Sequence, residues 1–233
     1  MAAAPQKINN YIILDFETGG TDKNGEHAKK YPITEFAGIA LDGVTLEKIL
    51  AYDNLVKPYD ENLTYDPEAA NITGITKEMC EEKGIPLPNL VDDMCTFFKE
   101  ANTHNSRTSK PILIAHNLPF DRQFLQDIFG RVGKDLKDYL AGEYDCYGSF
   151  IPEGIDSRMI AKMCWGEVTE TTTNFRLTSC CEKAGIEYVD GHHAMNDVMM
   201  LVDLWRYFVK RMRSQSVGIE SIDKVNHRLT FEW

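Results

Sequence analysis

Short, continuous apolar runs and longer stretches at helical spacing take turns along this chain. Residues 11–14 (Tyr-Ile-Ile-Leu) form a β-branched and aromatic run of the kind expected for a buried central strand, ending at Asp15. Glycines and lysines through Lys30 then predict a loop. Residues 33–41 (Ile-Thr-Glu-Phe-Ala-Gly-Ile-Ala-Leu) predict a second strand, and residues 46–56 a third, joined to it through an Asp42-Gly43 turn as an antiparallel meander. Short helices are expected to start at residues 67–70 and 76–79. Residues 90–101 put Leu90, Val91, Met94, Phe97 and Phe98 at helical spacing. Residues 111–115 return to strand, and residues 121–129 are amphipathic. Residues 177–184 predict a helix closed by Gly185. The last long helix is expected over residues 194–212, with Val198, Leu201, Val202, Trp205 and Phe208 facing inward. Beyond Arg213 the chain is polar, then mildly strand-like at residues 229–231, and the pattern assigns it no place. Strands first, then strands alternating with helices, predict an α/β fold with a mixed sheet flanked by helices.

Composition narrows this picture only a little. The 233 residues fit one domain, expected over residues 9–212, with an N-terminal extension at 1–8 and a C-terminal tail at 213–233. A net charge of −11 argues against broad, charge-driven binding of nucleic acid, though not against a grip on a few nucleotides through bound metals. The six cysteines form no C-x-x-C pair, and Cys180 and Cys181 are adjacent. They read as small apolar fillers in a reducing compartment, hence an expected cytoplasmic location. No apolar run is long enough to span a bilayer, and the first five residues are too short and uncharged for a signal peptide.

The candidate chemistry lies in four carboxylates at the ends of these elements. Asp15 and Glu17 are two apart, so an extended backbone points both to one face. Asp121 follows the strand at 111–115 and a short proline-containing loop; by itself it reads as a helix cap. Asp197 lies in a helical pattern, where an exposed acid is the ordinary reading. His192 precedes Asp197 by five residues and, near neutrality, could take a proton from an attacking water. The adjacent His193 leaves the choice of partner open. If the acids converge, they could hold divalent cations, which prefer hard oxygen ligands. That arrangement suits two-metal hydrolysis of a phosphodiester.

Taken together and in order, the three acidic blocks resemble the three motifs of the DnaQ-like, DEDDh class of 3′→5′ exonucleases in the RNase H-like superfamily. Asp15-Phe16-Glu17-Thr18-Gly19-Gly20 is similar to D-x-E-T-T/G-G. Ala115-His116-Asn117 with Phe120-Asp121 is similar to A-H-N-x-x-F-D, and residues 192–197 (His-His-Ala-Met-Asn-Asp) to H-x-A-x-x-D. Between them, residues 33–37 resemble the family's second strand, and residues 71–76 its H-G-I-T element with Thr73 in place of the histidine. Asp156-Ser157 and residues 174–177 resemble its D-T/S and N-x-x-L segments.

The resemblance spans roughly residues 9–210. It implies a five-stranded mixed sheet with helices on both faces. It also implies two Mg²⁺ or Mn²⁺ ions held by Asp15, Glu17, Asp121 and Asp197. The third-motif spacing selects His192 as general base, and the second ion would stabilise the leaving 3′ oxygen as a nucleoside 5′-monophosphate departs. Phe16, Thr18, Gly19, His116, Asn117 and Phe120 become candidate substrate contacts. The expected substrate is a single-stranded DNA or RNA 3′ end, with DNA favoured, and a DNA polymerase is a candidate partner. A non-catalytic binding module would have lost at least one of the five site residues, and all are in place. The charged loop at residues 23–32 is expected to border the substrate groove. Oligomeric state is left open.

Overall fold

The computed structural model describes residues 9–103, 110–165, 175–187 and 193–216. In chain order the elements are β1 (Tyr11–Thr18), α1 (His27–Lys30), β2 (Ile33–Leu41), β3 (Lys48–Leu55), α2 (Pro67–Thr73), α3 (Lys77–Lys83), α4 (Leu87–Ala101), β4 (Ile112–Ala115) and α5 (Leu118–Val132). After a 3₁₀ turn come β5 (Gly142–Tyr144), β6 (Phe150–Pro152), β7 (Gly154–Asp156), α6 (Ser157–Trp165), α7 (Leu177–Ala184) and α8 (Ala194–Ser216).

One five-stranded sheet runs in the order β3-β2-β1-β4-β7. β1, β2 and β3 pair antiparallel, while β4 and β7 join in parallel on the other side of β1. This is the expected α/β architecture with a mixed sheet. β5 and β6 form a separate two-stranded ribbon.

Strand alternation sorts the core into two layers. Ile12, Leu14 and Phe16 of β1, with Phe36 and Ala40 of β2, face α4 and α5 through Leu90, Met94, Phe98, Phe124 and Phe129. Ile13, Ala37, Ile39 and Leu41 face the opposite way, onto Val198, Leu201, Trp205 and Phe208 of α8 and onto α6 and α7. The inward-facing side chains expected of the last helix are all buried. β2 is buried along its whole length because helices cover both faces, so its sequence reads as a nearly unbroken apolar run.

Several local expectations need correction. The β2–β3 connection turns at Asp42-Gly43 as expected but is longer than the four residues the expected strands leave. It takes residues 42–47, closed by Leu46 N–H donating to the Asp42 carbonyl (2.9 Å), with Leu46 itself at φ 62°. α5 begins at Leu118, so Asp121 sits inside its first turn rather than capping it. The segment at 23–32 is not simply a loop, since it contains α1, whose His27 ring meets Phe120 of α5 at 4.8 Å between centroids. Cys80, Cys95, Cys180 and Cys181 are buried as fillers, but Cys146 is exposed on the β5–β6 ribbon. Gly185 closes α7 in the left-handed conformation, as expected. No helix among the described residues is long and apolar enough to cross a membrane. The strand-like residues at 229–231 lie outside the described residues.

Candidate active site

The same alternation that builds the core delivers the first two acids. Ile13 faces α8, so Asp15 and Glu17, two and four residues on, continue that face just past the apolar part of β1. A register shift between Glu17 and Thr18 breaks the β1–β2 ladder there. Such an irregularity ends pairing and turns the strand end away from its partner. Asp197 comes from the first turn of α8, the helix packed on that face. Its position at a helix N-terminus suits a negative side chain. As a result, carboxylate oxygens of Asp15, Glu17 and Asp197 lie within 4.8 Å of one another, the one cluster of potential metal ligands among the described residues.

Asp121 arrives from the other layer. β4 runs parallel to β1 and ends at Ala115. The chain then reverses through Asn117, which adopts the left-handed conformation (φ 81°), and enters α5. Asp121 is 2% exposed, and its Oδ1 is buried with no hydrogen-bond partner. A buried carboxylate oxygen in that state is costly unless something outside the protein completes it.

Electrostatics make the same point. Burial, reinforced by Asp197 and Glu35, pushes the Asp15 carboxyl up to about 8. Burial followed by Asp15, Asp197 and Glu35 pushes Glu17 up to about 9. Burial, then Asp15, raises Asp121 well above the usual carboxylate range. Among the described residues no lysine or arginine forms a salt bridge to Asp15, Glu17 or Asp121. Carboxylates crowded together in this way form a site that a divalent cation would relieve. The donor set, all carboxylate oxygen, fits Mg²⁺ or Mn²⁺.

A fifth carboxylate, Glu35 of β2, stands directly opposite Glu17 in the ladder and is 8% exposed. Its Oε2 accepts a hydrogen bond from the Ala194 backbone N–H at 2.9 Å and lies 3.9 Å from His193 Nδ1. Burial is the main reason its carboxyl is raised, with the Ala194 hydrogen bond opposing. The motifs gave no role to Glu35. The available signal was a lone acid within the apolar run of residues 33–41.

The expected substrate contacts divide. Phe16 is 4% exposed and packs on Phe36 and Phe124 at 5.2 and 6.5 Å, so it belongs to the core and has no face free for a base. Thr18 is buried, its hydroxyl donating to the Gly20 carbonyl. Gly19 is small for the protein's own sake: a Cβ there would lie 2.8 Å from Pro32 Cδ and 3.0 Å from the Thr64 carbonyl oxygen.

His116 is likewise committed to the protein. Its Nε2 lies 2.8 Å from the Phe175 carbonyl, which can only accept, so Nε2 carries the proton and Nδ1 accepts from the Ser157 hydroxyl at 2.9 Å. Burial lowers its pKa, in keeping with a neutral ring. Asn117 donates its backbone N–H to Asp156 Oδ1 at 3.0 Å, and the same oxygen accepts from the Arg158 N–H. Thus the end of β4 and the start of α6 are pinned together, which fixes the turn that carries Asp121. Phe120 keeps a partly open ring beside His27. His192 lies outside the described residues.

Comparison with known proteins agrees with this geometry. Exodeoxyribonuclease I of Haemophilus influenzae is 27% identical over 199 residues, which is 81% of this chain and 38% of that protein. DNA polymerase III subunit epsilon of Salmonella typhimurium is 28% identical over 134 residues, 55% of this chain and 47% of that one. The chain therefore spans less than half the length of these relatives. Among solved structures, E. coli Exonuclease I in complex with a dT13 oligonucleotide superimposes with a TM-score of 0.67 at 22% identity, covering 91% of this chain and 43% of that one. The profile of the RNase_T exonuclease family matches residues 12–205, and the chain belongs to that family.

Proposed function

We propose that this domain is a divalent-metal-dependent 3′→5′ exonuclease that removes nucleoside 5′-monophosphates from single-stranded DNA ends. The observation that carries this reading is the convergence of Asp15, Glu17 and Asp197 within 4.8 Å on one face of the sheet. Asp121 adds an unsatisfied buried oxygen from the opposite layer. The cluster resists its own ionisation and gains nothing for the fold, so its use must lie in what it binds.

Bound divalent cations would supply acidification of the attacking water and neutralisation of charge building on the scissile phosphate. Asp15, Glu17 and Asp197 would hold one cation, with Asp15 and Asp121 serving a second. In this reading His192 takes the proton from the attacking water, a role supported by its match to the third motif. Asn117 and Phe120, at the reversal into α5, are the remaining candidates to touch the terminal nucleotide. The tethered ring of His116 keeps that reversal in place. The excess of acids elsewhere leaves the domain poorly suited to gripping long duplex, and short contact through the metals suffices for an end. The likeness to a DNA polymerase III subunit supports a polymerase as a partner class.

The test is cleavage of matched 5′-labelled single-stranded DNA and RNA with Mg²⁺ or Mn²⁺, beside Asp15→Ala. A ladder shortening from the 3′ end, stronger on DNA and lost with EDTA or in the variant, is the expected result. A stronger ladder on RNA would reassign the sugar. No cleavage by folded, metal-loaded protein would leave only a binding role.

A further inference from the structure

Glu35 is a buried charge that the chemistry above leaves unused. Its neighbours on the α8-facing side of β2 are Ala37, Ile39 and Leu41, all packed in the core. An apolar residue would continue that surface at no desolvation cost, whereas a carboxylate there must be compensated. Its compensation comes from the start of α8, where His193 Nδ1 lies 3.9 Å from Oε2 and the Ala194 N–H bonds to the same oxygen. The Ala194 N–H, the first of α8, has no partner within the helix and donates to Glu35 Oε2 at 2.9 Å across 159 positions of sequence. Glu35 thus does for α8 what a capping side chain does locally, but from a strand of the sheet.

The consequence lies three residues further on. Asp197 shares the first turn of α8 with Ala194, and its own N–H donates to the His193 carbonyl at 3.2 Å. Asp15 and Glu17 stand on β1, which is hydrogen-bonded to β2 with Glu17 opposite Glu35. The bond from Ala194 to Glu35 therefore ties the turn carrying one ligand to the strand pair carrying the other two. Val198 and Leu201 also pack α8 on the sheet, but apolar contacts permit sliding by fractions of an ångström. A directional hydrogen bond does not.

We infer that Glu35 is a positioning residue: through the α8 N-terminus it sets Asp197 at ligand distance from Asp15 and Glu17. It is not a fourth member of the trio, since the ligand cluster comprises Asp15, Glu17 and Asp197, and Glu35 Oε2 is committed to the backbone. The catalytic consequence rests on the proposed exonuclease reading; the tether itself does not.

The test compares Glu35→Met, which keeps length and apolar volume without an acceptor, with Glu35→Gln, whose amide oxygen can still accept from Ala194. Glu35→Ala is the second acceptor-free variant should Met not fold. Amide hydrogen exchange at Ala194 in metal-free protein, Mn²⁺ binding and cleavage of single-stranded DNA are measured on each. The expected result is exchange at Ala194 about tenfold faster, and Mn²⁺ binding about tenfold weaker, in the acceptor-free variant. Glu35→Gln should stay within about threefold of the parent in both, with cleavage following Mn²⁺ binding. Unchanged exchange at Ala194 in the acceptor-free variant overturns the inference. So does a Gln variant as impaired as Met, because charge and not the tether would then matter. If the parent fails to cleave DNA, the exonuclease reading falls, while exchange and Mn²⁺ binding still decide the role of Glu35.

Discussion

Replacing Asp15 with asparagine should stabilise the metal-free protein at alkaline pH while abolishing cleavage, and the size of the gain should depend on pH in a defined way. Oxygens of Asp15, Glu17 and Asp197 lie within 4.8 Å of one another. At an effective dielectric of ~20, two unit charges at that distance repel by about 3.5 kcal/mol. The folded Asp15 carboxyl is raised to about 8 and that of Glu17 to about 9, from ordinary values of 3.8 and 4.5. For a raised carboxyl the folded state binds more protons than the unfolded chain between the two pKa values. Stability therefore falls as pH rises from about 4 through about 9, and the loss is complete only above the folded values. At pH 5 the folded Asp15 is protonated while the unfolded chain has largely lost that proton, so asparagine already gains about 1.5 kcal/mol. At pH 9 it is ionised and crowded, and removing its charge should gain about 3 kcal/mol, or roughly 6–12 °C in Tm for a domain of this size. Thermal melts in EDTA at the two pH values, parent beside variant, measure the difference. Equal shifts at pH 5 and pH 9, or a lower Tm for the variant at pH 9, would show that the cluster is not held in mutual repulsion.

Further outcomes follow from the same structure. Saturating Mn²⁺, at about 100 times its Kd, should raise parent stability by about 2.7 kcal/mol, reversed by EDTA and largely absent in Asp15→Asn; calorimetric melts check this. His192→Asn should lower kcat by about 10²–10⁴-fold with Mn²⁺ affinity within a factor of about three, read by single-turnover cleavage and Mn²⁺ titration. His116→Ala leaves the buried Ser157 hydroxyl and the Phe175 carbonyl without their ring partner, and should cost about 2–4 kcal/mol in urea unfolding. Gly19→Ala forces a Cβ against Pro32 and the Thr64 carbonyl and should cost about 1–3 kcal/mol in the same assay, with any loss of cleavage following the loss of fold.

Which parts of this protein could be read before folding depends on how local their physics is. Asp15 and Glu17 sit at the end of a β-branched run, and the period of two that buries Ile13 also aims both acids. Asp197 lies in a recognisable helical pattern, so its element was legible, but that pattern reads it as an ordinary exposed acid and leaves its direction open. Less local features escaped. Asn117 takes a left-handed turn, so α5 starts three residues before Asp121, and the cap expected there is a first-turn residue. β5, β6 and β7 are three residues each, too short for periodicity to register. The β2–β3 turn falls at Asp42-Gly43 as expected, but Leu46, expected to open the strand, takes positive φ and lengthens the connection to six residues.

The sequence by itself determined the sheet's first three strands and the long helices, because propensity and spacing act over a few residues; the four acids stood out as a set only through the resemblance of their ordered blocks to the family's motifs. Only the tertiary structure decided which of them meet. Packing brought β1 and α8 together so that three like charges share a few ångströms, while β4 sent Asp121 in from the other layer. It also engaged the side chains of Phe16 and His116 within the protein, since burial and hydrogen bonding to distant segments are not written in any local pattern. Glu35 shows this most clearly: an acid in an apolar strand acquires a meaning only when the N-terminus of a helix 159 positions away arrives to meet it.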